Sequence, residues 1–125
     1  MFHRFAAACS VASVVIAAGA LVTLVLDLPV AGVRTLTTAW CAVPLVWGVW
    51  AMLAPAVWTP GRLPLWGAIL GVGVGIVAGP VLDIPARMGA PSGLRWLVLV
   101  AGPILYYVLW LLVASAYRAL QPADE

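Results

Sequence analysis

Charge is almost missing from this chain. Six basic and four acidic residues are spread over 125 positions, 8% of the total, against 66% hydrophobic residues. A soluble domain carries about a quarter charged residues, and so few charges cannot cover a water-facing surface, which excludes that class. Lysine and asparagine are absent altogether, and every basic residue is arginine, a bias that fits the codon usage of a GC-rich genome. The net charge of +2 is too small to imply a nucleic-acid partner.

The usual carriers of chemistry are as scarce. The one histidine, His3, has no Cys, Asp or Glu near it at ligand spacing, so no metal site is expected. Cys9 and Cys41 do not form a CxxC pair. Helix rise places them roughly 20 Å apart on the boundaries expected below, beyond disulfide reach. No serine has a His–Asp companion, and Gly73-Val74-Gly75 lacks the strand-turn-helix setting of a nucleotide loop. No enzyme and no cofactor is expected.

What the chain has is apolar length. Four runs stand out: Phe5–Leu26, Leu36–Trp58, Leu65–Leu82 and Trp96–Tyr117. Each is 18 to 23 residues long, roughly 27 to 35 Å as a helix, against a hydrocarbon core of roughly 30 Å. Lipid offers no partner for a free N–H or C=O, so such runs must be helical. The expected fold is an all-α membrane protein, a four-helix transmembrane bundle. It forms a single integral domain over 1–125, with helices at about 5–26, 36–58, 65–84 and 96–118. Met1-Phe2-His3-Arg4 and Ala18-Gly19-Ala20 have the look of a signal peptide. However, the apolar stretch runs on to Leu26, past a signal core of about 7–15 residues, which predicts a retained first helix.

Aromatic residues then suggest depth. Trp40 and Trp96 fall near one end of the second and fourth runs, and Trp58, Trp66 and Tyr117 near the other, as two interfacial belts. Orientation is tied: Arg4, Arg62 and Arg118 lie on the side of the termini, Arg34, Arg87 and Arg95 on the other. The positive-inside rule has nothing to act on. The expected setting is the bacterial inner membrane with cytoplasmic termini. The tie also allows insertion both ways and an antiparallel dimer.

A short peptide recurs. Val25-Leu26-Asp27-Leu28-Pro29 aligns with Val81-Leu82-Asp83-Ile84-Pro85, and at the same offset Trp40 falls on Trp96. With three extra residues, Pro44 falls on Pro103 and Trp47 on Tyr106. The chain reads as two tandem helical hairpins in parallel orientation, since a two-span unit returns to its starting side, with Asp27 and Asp83 on one face of the membrane. A carboxylate at a helix C-terminus meets the negative end of the dipole, which costs about 0.3–1 kcal/mol. Either the Asp-x-Pro is a turn device, with Arg34 and Arg87 as counter-charges, or Asp27 and Asp83 are paired groups at the mouth of an ion or proton pathway.

The third run carries a strip. Gly67, Gly71, Gly75 and Gly79 recur every four residues, close to one helical face. Without side chains they allow close backbone approach, a main source of helix association in lipid. The strip packs inside the bundle or forms a dimer seam. Trp47, Trp50, Tyr106, Tyr107 and Trp110 fall near the middle of their runs. They either line a cavity for a lipophilic or cationic ligand or pack their rings onto the strip.

Four spans in this length, the tied arginines and Gly73-Val74-Gly75-Ile76-Val77 resemble the small multidrug resistance exporters. Those depend on a Glu in their first helix, whereas Phe5–Leu26 holds no acid, so their proton and substrate site is not carried over. The fluoride channels share the size but none of their motifs are present. The expected role is a packing or accessory subunit, partnered by the lipid bilayer and by copies of itself or other membrane subunits. The alternative is a small ion- or proton-coupled transporter or channel.

Overall fold

In the computed structural model, residues 1–27 and 30–121 are described, those at 30–32 by backbone alone. Leu28-Pro29 of the first repeat and the Asp124-Glu125 tail lie outside the described residues. The rest is helical, with no strand among the described residues. Helix α1 is Phe2–Val25, α2 is Val30–Met52, α3 is Leu63–Ile76, α4 is the single turn Ile84–Arg87, and α5 is Leu94–Leu120. A wider π turn, Val77–Val81, prolongs α3. Four of these rods are long and apolar enough to cross a membrane: α1, α2, α3 with its π turn, and α5. The architecture is that of an all-helical, multi-pass membrane protein.

The second helix departs most from expectation. It starts at Val30 rather than Leu36 and stops at Met52 rather than Trp58. Its polar start is tolerated because Thr37 and Thr38 turn their hydroxyls back onto the Val33 and Arg34 carbonyls, at 2.9 and 2.8 Å. Its end is set by Pro55, which lacks an N–H and disfavours helical geometry at the residue before it. The chain then makes a 3₁₀ turn, Ala56–Trp58. This six-residue shift revises three expectations of depth. Trp40 stands in the middle of α2, not in a belt, while Trp47 and Trp50 lie in its last two turns. Cys41 also moves inward. Cys9 donates its thiol to the Pro44 carbonyl at 3.1 Å, and Pro44 is only three residues beyond Cys41, so the 20 Å separation does not hold.

The two repeated peptides make different corners. Asp27 and Asp83 both adopt left-handed backbone, φ 48° and 45°, a region that Asp visits more readily than most residues because its short side chain can hydrogen-bond locally. The element that follows Asp27 is α2, from Val30. After Asp83 the chain forms α4, which is capped at Met88 and followed by Gly89 with φ 82°. Gly89 through Gly93 then separate α4 from α5, where the first copy has the uninterrupted start of α2.

In space the long helices form a row: α2 packs on α1, α1 on α5, and α5 most extensively on α3. Helices α2 and α3 meet only briefly, and α4 touches α2 and α5. The antiparallel course puts Met1 and Leu120 at one end, the terminal end, and both Asp corners at the other. The main core gathers toward the terminal end, where Ala8 and Ala12 of α1, Trp47 and Ala51 of α2, Leu63 of α3 and Trp110, Val113 and Ala114 of α5 are buried together. Large rings are set against alanine and glycine, so that bulky and small residues fit together between the rods. Arg4 ties this end, donating Nη1 to the Ala54 carbonyl at 2.9 Å and standing 6.0 Å from the Tyr117 ring centre.

Candidate functional site

The α3–α5 seam brings together most of the residues that the sequence singles out. Gly67, Gly71, Gly75 and Gly79 are all buried and all face α5. A Cβ added to Gly67 would enter the Trp110 indole. At Gly71 it would stand 2.7 Å from the Gly102 carbonyl oxygen and from Tyr106 Cβ, and 2.9 Å from Pro103 Cα. At Gly75 it would meet the Val98 and Leu99 carbonyl oxygens at 3.2 and 3.4 Å, and at Gly79 the Arg95 carbonyl. Gly73, off the strip, has nothing within 4 Å. The strip is therefore occupied inside the chain and is not left open as a seam for a second copy.

Two features of α5 suit it to this neighbour. Gly102 mirrors Gly71, each lying against the other's carbonyl. Pro103 removes the hydrogen bond that the Leu99 carbonyl would otherwise accept within the helix, and that carbonyl lies against Gly75. Carbonyls this near glycine Cα atoms suit weak Cα–H···O contacts between packed helices. Gly102 was not picked out from the sequence; its place one residue before Pro103 was the available signal.

The rings divide into two groups. Trp47 and Trp110 are 1% and 0% exposed. Trp47 meets Tyr106 edge-on at 5.3 Å and lies 5.7 Å from Trp110, and its Nε1 donates a long 3.4 Å bond to the Tyr106 hydroxyl. Tyr106 sits on Gly71 and Trp110 on Gly67, large against small. The second group staples α2 to α3. Trp50 and Trp66 stack at 4.7 Å with planes 16° apart. Each donates its Nε1 to the other's backbone carbonyl, at 2.8 and 2.7 Å. Tyr107 lies apart, on an exposed face of α5. Trp110 Nε1 is buried without a hydrogen-bond partner.

Two grooves on the surface of the bundle, among the described residues, are not lined by these rings. One, about 420 Å³, runs between α1 and α2 past Ser13, Ala17, Ala20, Thr37, Trp40 and Cys41. The other, about 330 Å³, lies between α1 and α5 at Ser10, Val11 and Leu112. Span hydroxyls along the bundle are turned inward on their own helices: Ser13 to Cys9, Thr23 to Ala20 and Ser115 to Leu111. The grooves are thus apolar in effect.

The two acids sit in unlike surroundings at the same end. Asp27 is exposed. Asp83 is half-buried, and its Oδ1 has no hydrogen-bond partner. Arg87 does not answer its charge; its Nε donates to the Leu82 carbonyl at 2.8 Å, capping the prolonged α3. Among the described residues no group of three His, Cys, Asp or Glu could hold a metal ion. No protein-family model, characterised protein or solved structure matches this chain.

Proposed function

We propose that this protein is a packing or accessory subunit of a bacterial inner-membrane assembly, made of its own copies or of other membrane subunits, with its termini in the cytoplasm. The observation that carries this reading is the uneven use of its helices. The α3–α5 seam is tight, with the glycine strip and the rings placed inside it. Helix α2 packs along α1, is pinned to α3 and α5 only near its end by Trp50 and Trp47, and leaves Leu45, Val46 and Val49 exposed. In lipid, association rests on close packing and hydrogen bonds between helices, since burying apolar surface gives no advantage there. A chain with one finished seam and one open hairpin is suited to receive a neighbour. The two left-handed Asp corners at one end support descent from two tandem parallel hairpins, the stretch that opens α2 in the first copy being folded as α4 and a linker in the second.

The test is the mass of the particle in mild detergent. Light scattering corrected for bound detergent is expected to give a multiple of the 13.1 kDa chain or a stoichiometric complex. A stable monomer across a wide concentration range rejects the reading. The alternative, a small ion- or proton-coupled transporter or channel, draws on one observation: both carboxylates stand at the same end, and neither is held by an arginine. Asp27→Asn with Asp83→Asn leaves assembly intact in the subunit reading and abolishes ion-coupled flux in proteoliposomes in the other.

A further inference from the structure

The four-residue period of the glycine strip does not end at Gly79. Its next rung is Asp83, whose N–H bonds to the Gly79 carbonyl at 2.8 Å. Gly79 in turn lies against the backbone of Arg95, in the first turn of α5. Side chains on a helix tilt toward its N-terminus, and for α5 that is the end where Asp83 lies. The tilt therefore carries Arg95 from the level of Gly79 toward the level of Asp83. At this corner two polar atoms of opposite charge type are buried with no hydrogen-bond partner: Asp83 Oδ1, which needs a donor, and Arg95 Nε, which needs an acceptor. Buried polar atoms are normally paired, so two complementary orphans on facing helices call for an explanation. The guanidinium is placed instead over its neighbour Trp96, 5.4 Å from the ring centre, and that ring is itself exposed. The other charged group at the corner, Arg87 on α4, has its Nε committed to Leu82. Arg34 of α2 is exposed, and Asp27 likewise.

We propose that Asp83 and Arg95 form a latch at the open end of the α3–α5 seam. The Arg95 guanidinium moves between two seats, the Trp96 face and the Asp83 carboxylate. Closing it satisfies both orphan atoms and fixes the register of the glycine strip against α5. The positive N-terminal end of α5 favours the carboxylate in the same place, which offsets the unfavourable end of the helix that Asp83 terminates. The repeat partner, Asp27, has no such counterpart, so the two acids differ in role.

A double-mutant cycle tests this, read as the thermal unfolding midpoint in mild detergent. Asp83→Asn and Arg95→Gln are each expected to lower the midpoint by several degrees, and the two together by no more than the larger single loss. Arg95→Lys keeps most of the stability. Losses that simply add, or no loss in either single variant, overturn the latch. Proximity is tested separately by Asp83→Cys with Arg95→Cys in a background of Cys9→Ser and Cys41→Ser. Mild oxidation is expected to remove both free thiols within the monomer, while the Asp27→Cys, Arg95→Cys pair keeps them. Two thiols that stay titratable in the first pair rule the latch out.

Discussion

Adding one methyl group at four neighbouring glycines should give four different results, and their order follows from the distances across the α3–α5 seam. At Gly73 the new Cβ meets nothing within 4 Å, so alanine contributes only its better helix propensity, about 0.8–1 kcal/mol. At Gly75 it would stand 3.2 to 3.4 Å from backbone atoms. A shift of a few tenths of an ångström is needed there, and the gain and the cost roughly cancel. At Gly71 the contacts are 2.7 to 2.9 Å, two of them with backbone. Two backbones must then part by well over half an ångström, the kind of overpacking that costs about 1–3 kcal/mol. After the propensity gain, Gly71→Ala is expected to lose up to about 2 kcal/mol. At Gly67 the obstacle is the Trp110 side chain, fully buried and unable to swing clear, and the loss is at least as large. Reversible unfolding in mixed micelles, followed by tryptophan fluorescence, measures the series. Equal effects at Gly71 and Gly73 would show that the strip does not face α5.

Four further outcomes are expected. Trp50→Phe and Trp66→Phe each keep the stacking and lose one indole-to-carbonyl bond, at about 0.5–1.5 kcal/mol apiece in the same unfolding assay; no loss from either would show that the staple between α2 and α3 contributes nothing. Arg4→Ala removes the bond to the Ala54 carbonyl and the Tyr117 contact. Amide exchange in the first two turns of α1 should then quicken at least tenfold, whereas an unchanged rate would mean the tie is idle. Asp27→Gly relieves left-handed strain at an exposed corner and is expected to be neutral or stabilising by up to about 1 kcal/mol, while Asp83→Gly destabilises because it also removes the partner of Arg95. Cysteines placed singly at 27 and 83 should react with a membrane-impermeant maleimide from the same side of the bilayer, and labelling from opposite sides would contradict the antiparallel course of the helices.

The number of spans was legible because apolar length and the bilayer's thickness leave little choice. So was the glycine face, since a period of four specifies a surface without any tertiary knowledge. Depth was not. Arg34 and Thr35 read as loop from their polarity, and the expected helix began only at Leu36. In the structure Thr37 and Thr38 spend their hydroxyls on their own helix, and α2 starts six residues early. That shift moved Trp40 out of its belt, moved Trp47 and Trp50 toward the terminal end, and brought Cys41 near Cys9. The corners were half legible: Asp before Pro marked both turns, but the left-handed backbone at each Asp and the α4 turn, which packs against α2 and α5, were not. Which face of the strip was occupied depended on Gly102 and Pro103, residues whose meaning appears only when α5 lies opposite.

The row α2–α1–α5–α3 has a consequence for how the molecule is made. Helix α5 is the only rod that touches both α1 and α3 extensively, yet it leaves the ribosome after both of them. During synthesis, then, the α1–α2 pair and an α3 joined to it only through the Trp50–Trp66 staple share the same patch of lipid with the glycine strip and the α1 alanines unmatched. The glycine seam closes only when Leu94–Leu120 slides between α1 and α3, so membrane insertion of the first three spans and completion of the bundle are separate events in time.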